Sequence, residues 1–309
     1  MASRAIVTGG AGFIGSHLVD ALLADGYGVS VIDDLSSGDA GRVAAAAQLL
    51  ELDIVDAAAV AAVVDEVQPR AVFHLAAQAS VVVSVENPGR DCEVNVQGTL
   101  NVVDAANKRG IPVVFTSTGG ALYGDDAPRP TTEERIPQPL SPYGASKLAG
   151  ESYVGTWSRA EGVANAVCRL GNVYGPRQSP HGEAGVVSIF THRLHTGAAP
   201  KLFGHGSPTR DYVYVGDVVR ALLAAAGRAG TFNVATGVET DVMTIWSELR
   251  EVAGSDLQAE LAELRAGELQ NSCLDPSLAE RELGWKAEVP IAEGLRRTYE
   301  ALVEEFERA

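Results

Sequence analysis

Apolar residues fall in two rhythms along this chain. Short apolar runs such as Ala5-Ile6-Val7 and Val29-Ser30-Val31-Ile32, closed by glycine or an acid, alternate with longer stretches of helical spacing such as 17–23. The runs predict strands and the stretches predict helices. Further strands are expected through Leu52-Asp53-Ile54, 72–77, 113–116 and 164–170, with helices over 57–67, 91–109 and 143–161. This alternation to about residue 172 is the pattern of an α/β protein with a parallel sheet covered by helices on both faces. Beyond it, Pro- and Gly-punctuated segments such as Gly175-Pro176-Arg177 separate shorter helices, as in a smaller lobe. Residues 213–236 read as a helix and strand returning to the sheet. The expected division is therefore 1–172 with 213–236, against a discontinuous lobe of 173–212 and 237–309 that holds the substrate. The alanine run at 44–47 is expected to be a short helix.

Between the first strand and the first helix stands Thr8-Gly9-Gly10-Ala11-Gly12-Phe13-Ile14-Gly15. Gly9 permits a tight turn, Gly12 lets a pyrophosphate approach the backbone where Phe13 and Ile14 open the helix, and Gly15 allows close packing of helix on strand. The spacing is GxxGxxG, which departs from GxGxxG. The second strand ends at Asp33, where an acid binds an adenosine ribose diol, and Asp34 follows directly. Two carboxylates repel a 2′-phosphate, so the expected cofactor is NAD and not NADP. Asp53 and Ile54 are expected beside the adenine, and Leu75, Ala76 and Ala77 bring a fourth strand's small residues towards the cofactor. The fold expected is a Rossmann-type doubly wound sheet.

Charge and cysteine usage narrow the class. A net charge of -16 from 24 basic and 40 acidic residues leaves no general footprint for nucleic acid or an anionic membrane. An anionic substrate must be held locally, by a few arginines and backbone amides. Cys92, Cys168 and Cys273 form no CxxC pair and are expected to be buried and reduced. With no apolar stretch of about 18 residues and no leader-like start, a cytoplasmic location is expected.

The chemistry centres on Tyr143 and Lys147, four residues apart and so on one face of a helix. The lysine is expected to lower the phenol's pKa, since a nearby ammonium favours phenolate, as does an oxidised nicotinamide. A hydroxyl from Thr116-Ser117-Thr118 completes the set, Thr118 first and Ser117 second. His192 and His195 share a helical face without HExxH, and no GxSxG is present, so neither a metal nor a serine nucleophile is expected.

These motifs resemble the extended short-chain dehydrogenase/reductase family, specifically its nucleotide-sugar 4-epimerases. The resemblance rests on TGGAGFIGSH from Thr8, IDDLSSG from Ile32, HLAAQ from His74, NVQGT from Asn95, TSTGGALYG from Thr116, SPYGASK from Ser141, RLGNVYGPRQ from Arg169 and TRDYVYVGDV from Thr209. It implies hydride removal from sugar C4 to a tightly bound NAD while the tyrosine takes the O4 proton. A 4-ketose then turns over and receives the hydride on its other face. It also implies that Asn172 and Arg210 meet the diphosphate, that Arg265 and Glu268 lie around diphosphate and ribose, and that Leu202 and Phe203 lie against uracil. Many relatives carry the catalytic hydroxyl where this chain has Gly119, one residue after Thr118. Related dehydratases and glucuronate decarboxylases carry an acid where this chain has Gly120, Ala121 and Leu122, which argues for epimerisation. The short connection 206–210 resembles the glucuronate branch, so UDP-glucuronate is favoured, with UDP-glucose close behind. His192 and Arg193 are the candidates to face C6. The family resemblance further implies a homodimer through the helices at 91–109 and 143–161. From another class, the chain could be a catalytically silent NAD-binding regulatory protein.

Overall fold

The computed structural model describes residues 3–181, 185–264 and 269–308. Its strands are β1 (Arg4–Thr8), β2 (Gly28–Asp33), β3 (Gln48–Glu51), β4 (Ala71–His74), β5 (Val113–Thr118), β6 (Ala166–Leu170), β7 (Asn172–Tyr174), β8 (Lys201–Phe203), β9 (Thr209–Tyr214), β10 (Gly230–Val234), β11 (Glu239–Asp241) and β12 (Glu260–Ala262). The α-helices are α1 (Phe13–Ala24), α2 (Ala57–Val67), α3 (Val81–Glu86), α4 (Pro88–Cys92), α5 (Thr99–Asn107), α6 (Pro142–Glu161), α7 (Val186–Thr196), α8 (Val215–Ala225), α9 (Val242–Val252), α10 (Ser277–Leu283) and α11 (Ile291–Arg308).

Alternation along the strands builds two cores at once, because successive side chains point to opposite faces. Val7 and Val31 join Leu18, Val19 and Leu22 of α1 and Val218 and Leu222 of α8 on one face. Ile6 and Ile32 join Val60 and Val64 of α2, Val102 and Val103 of α5 and Val154 of α6 on the other. The resulting seven-stranded sheet has the order β10-β6-β5-β4-β1-β2-β3, parallel throughout. Its order reverses between β1 and β4, which opens a crevice at their carboxyl ends. The strand of 230–234 thus lies in the central sheet, beside β6.

A second lobe gathers around Tyr174, Phe190, Leu202, Tyr212, Ile245 and Trp246. It carries the three-stranded sheet β11-β9-β7 and the pair β12-β8.

Several local expectations change. The third strand ends at Glu51, leaving Leu52-Asp53-Ile54 as the turn beyond it, and the fourth ends at His74, with Leu75 N–H making a last bond to Thr8 O and Ala76 and Ala77 beyond. Residues 44–47 form a turn closed by Ala47 N–H to Ala44 O, not a helix: four alanines cannot nucleate one before β3 begins at Gln48. The helix expected over 91–109 is interrupted by a π-helical turn at Glu93–Gly98. Cys168 and Cys273 are buried, but Cys92 is exposed, at the outer end of the short α4.

Candidate active site

The glycine turn is built by contacts that a side chain would break. Gly9 has φ +72°, and a Cβ there would lie 2.6 Å from the Ala76 nitrogen. A Cβ at Gly15 would lie 2.0 Å from Gly9 O, so helix and turn meet backbone to backbone. Helix α1 begins after Gly12 with no side-chain cap, so its first N–H groups, at Phe13 and Ile14, are left for an anion. Asp33 is buried and closes the turn: Oδ2 accepts from Ala11 N–H (2.9 Å) and Oδ1 from Leu35 N–H (3.0 Å). Burial raises its pKa, with those two hydrogen bonds opposing. Each oxygen keeps a lone pair for a ribose hydroxyl. These features fit a dinucleotide.

Around the adenosine end the charge differs from the sequence expectation. Asp34 is exposed and accepts from Ser36, while Arg90 Nη2 lies 4.0 Å from Asp34 and 3.0 Å from Asp53. Arg90 therefore offsets part of the charge expected to repel a 2′-phosphate, and that expectation comes to rest on buried Asp33. Asp53 also accepts from Val55 N–H, and Ile54 is buried against Gly98.

At the crevice itself, Thr8 and His74 are register partners across β1 and β4, and His74 is fully buried. The hydrogen bonds fix its tautomer. Thr99 Oγ1 donates to Asn95 O (2.7 Å), so it accepts the His74 Nε2 proton (3.0 Å). Thr8 Oγ1 accepts from Ala76 N–H (3.2 Å) and donates to His74 Nδ1 (2.7 Å). Burial and then the Lys147 charge hold His74 down to about 3, as a neutral ring. Leu75, Ala76 and Ala77 follow, half-buried, above the end of β4.

Helix α6 is placed by its sequence. Ser141 caps Gly144 N–H, Pro142 fits the first turn, and Gly144 lets the helix meet Ala121 O, 2.5 Å from a built Cβ. Tyr143 is half-buried and hydrogen-bonded to the Thr118 side chain, whose oxygen also accepts from Ala121 N–H (3.2 Å). Ser117 is buried and its hydroxyl has no hydrogen-bond partner among the described residues. Lys147 is buried with its ammonium 4.6 Å from the Phe115 ring centroid. Burial lowers it to about 8, opposed by Glu151 and Asp91.

The phenol of Tyr143 does not show the expected lowering. Burial and then Asp91 push it up to about 12, with the Thr118 hydrogen bond opposing, and Lys147 is not among the groups that move it. In the protein alone Tyr143 is a phenol; a further cation beside it favours the phenolate.

Sequence reasoning assigned no role to Asp91, Asn95 or Ser146. Asn95 sits in the π-helical turn, buried, with Nδ2 in reach of Asp91 Oδ1, Ser146 Oγ and Gln78 O, and Oδ1 accepting from Gln78 N–H. Ser146 in turn donates to Tyr143 O. This network ties the cofactor loop to α6. Asn95 stands in NVQGT and Ser146 in SPYGASK, which were the sequence signals.

The substrate candidates are scattered by comparison. Asn172 is half-buried at the start of β7, with Oδ1 3.5 Å from a built Gly120 Cβ. Arg210 donates to the carbonyls of Thr209, Gln270 and Leu269, and so braces the segment that leads to 265–268. Leu202 is fully buried in the lobe's core while Phe203 is half-buried. His192 packs edge-on against Phe306 and His181, and Arg193 is exposed. Arg265 and Glu268 lie outside the described residues.

The comparisons agree with this geometry. The NAD dependent epimerase/dehydratase family matches residues 5–235. A UDP-glucose 4-epimerase of Mycolicibacterium smegmatis is 46% identical over 306 residues, covering 96% of this chain and 97% of that one. A crystal structure of Thermotoga maritima UDP-glucose 4-epimerase with UDP-glucose superposes with TM-score 0.96 at 44% identity, covering 98% and 99% of the two chains. A Thermus thermophilus UDP-glucose 4-epimerase complex with NAD gives TM-score 0.90 at 42% identity, covering 96% and 98%. The resemblance read from the motifs stands, and the chain belongs to the NAD dependent epimerase/dehydratase family, with NAD as its cofactor.

Proposed function

We propose that this enzyme interconverts UDP-glucose and UDP-galactose by epimerisation at C4, with UDP-glucuronate the poorer substrate. The observation that carries the reading is the Tyr143–Thr118 hydrogen bond beside buried Lys147, above a turn of Gly120, Ala121 and Leu122 that offers no acid for chemistry at C5. NAD supplies a hydride acceptor and donor. Tyr143 takes the O4 proton and returns it, Thr118 holds the phenol and the sugar hydroxyl in line, and Lys147 supplies positive charge beneath them. Asn172 at the start of β7, with Arg210, Arg265 and Glu268 from the lobe of 173–212 and 237–309, would hold the diphosphate and ribose, and Phe203 would border uracil.

The sugar assignment departs from the glucuronate expectation. A desolvated carboxylate at C6 calls for an inward arginine. Arg193 is exposed, and His192, whose pKa burial lowers, offers a neutral ring. The similar enzymes reported above are named for UDP-glucose. No helix among the described residues is long and apolar enough to cross a membrane, and we place the enzyme in the cytoplasm. We also propose a homodimer through α5 and α6, where Tyr153 on α6 and Val82 and Val85 on α3 are exposed.

The test is to incubate NAD-loaded protein with each UDP-sugar and separate the products by chromatography. UDP-galactose should form from UDP-glucose with a higher kcat/KM than UDP-galacturonate from UDP-glucuronate. A higher value for the acid would reverse the sugar assignment, a pentose product would indicate decarboxylation, and no conversion would favour a silent binding protein.

A further inference from the structure

Glu151 and Arg169 take no part in the proton transfer above, yet they are only 7% and 6% exposed. Arg169 on β6 donates Nε to both Glu151 oxygens (3.0 and 3.1 Å) and Nη2 to Oε2 (2.6 Å). Its Nη1 donates to the Tyr123 hydroxyl at 2.7 Å, with the guanidinium 5.1 Å from that ring's centroid. The Tyr123 hydroxyl donates on to Asn233 Oδ1 (3.1 Å), whose amide holds the carbonyls of Thr131 and Asp275. One bonded path therefore joins α6 to β6, β10 and the segment entering α10. Buried ion pairs add little net stability, because desolvation offsets attraction. What this pair holds at its two ends accounts for it better.

At one end is Lys147. Tyr143, Lys147 and Glu151 follow each other by four residues along α6 and share a face. Gly150 lets that face sit against β5, where a Cβ would lie 2.9 Å from the Phe115 ring. The charged groups that act on the ammonium are Glu151 from α6 and Asp91 from α4; neutral His74 from β4 feels its charge, Tyr143 stands one turn earlier on α6, and Arg169 from β6 lies behind Glu151.

We propose that the Glu151–Arg169 pair is a positioning element that keeps Lys147 protonated and seated beneath Tyr143 during epimerisation. The inference rests on the roles given above to Tyr143 and Lys147. Burial holds Lys147 down to about 8, and Glu151 is the first group that opposes the shift.

The test is the pH dependence of kcat in NAD-loaded enzyme with UDP-glucose. Glu151→Gln leaves the Arg169 charge unanswered, so the alkaline fall in activity should move down by about one pH unit, a tenfold loss on that side. Arg169→Met leaves the carboxylate facing Lys147 alone, and the fall should move up. Opposite shifts support the proposal. Lower kcat in both variants with the profile unmoved, or moved the same way, overturns it. Should either single variant fail to fold, the apolar pair Glu151→Leu with Arg169→Met keeps the volume, and its profile should shift down; a parent-like profile overturns the proposal. Lys147→Met separates the two levels, with NAD affinity measured by calorimetry beside kcat. Near-normal turnover there would remove the role of Lys147 itself, whereas lost turnover with unmoved profiles in the pair variants removes only this inference.

Discussion

Acid should destabilise this protein in part through a single buried residue, His74. Its ring is fully buried, and its two nitrogens are committed to Thr8 and Thr99 in one tautomer. Protonation would place a second N–H against Thr8 Oγ1, whose lone pair already takes Ala76 N–H and whose proton already points at the ring. The folded pKa is about 3 against an ordinary 6.5. Between those values the unfolded chain binds a proton that the folded chain refuses, so stability falls as pH falls, and is fully retained above 6.5. The slope is about 1.4 kcal/mol per unit, which gives about 2 kcal/mol between about pH 7 and about pH 5. The assay is urea unfolding of parent and His74→Gln at both pH values, with the same excess of NAD. Glutamine keeps a donor and an acceptor but does not titrate, so contributions from carboxylates cancel in the comparison. The parent should lose about 2 kcal/mol more than the variant over that range. Parallel losses would mean that His74 titrates alike in both states, and the reasoning from burial and the Thr8–His74–Thr99 bonds would be wrong.

Lys147 has the complementary behaviour. Its folded pKa, about 8 against 10.5, makes the charged form a cost that is lifted as pH rises through that interval, so Lys147→Met should equal or exceed the parent in thermal stability near neutrality and lose that advantage towards pH 10.5. Tyr143→Phe should nearly abolish turnover while calorimetry shows NAD and UDP-glucose binding largely intact. Thr118→Val should cost on the order of 1–3 kcal/mol in kcat/KM and Ser117→Ala much less, since Thr118 bonds the phenol and Ser117 has no hydrogen-bond partner among the described residues; the reverse ranking would reassign the hydroxyl. Gly15→Ala should lose NAD binding in a fluorescence titration, because its Cβ would lie 2.0 Å from Gly9 O; parent-like affinity would show that the turn relaxes freely. Arg193→Ala should leave kcat/KM for UDP-glucose unchanged, as the side chain is exposed.

The sequence by itself determined what depends on local spacing. Apolar alternation set the central strands, the glycine turn between β1 and α1 demanded a backbone that tolerates φ > 0 and close approach, and Tyr143 with Lys147 had to share a helix face. The helix read over 143–161 in fact begins one residue earlier, at Pro142, capped by Ser141. The strand at 230–234, read as returning to the sheet, pairs with β6. What the sequence could not determine arises from groups distant in the chain. The tautomer of His74 depends on Thr8 and Thr99, 66 and 25 residues away, and its neutrality on burial and the Lys147 charge. Arg90 reaches Asp53 and Asp34 from α4 and softens a charge argument that looked complete on β2 alone. The π-helical turn that aims Asn95 at Asp91 and Ser146 has no period of its own in the sequence. The raised pKa of Tyr143 was missed for the same reason: spacing put Lys147 on the same helix face, but burial and Asp91, which only the packed structure brings together, set the direction, opposed by the Thr118 hydrogen bond. Spacing along a chain fixes which residues share a face; desolvation and the charges on facing elements decide what those residues do there.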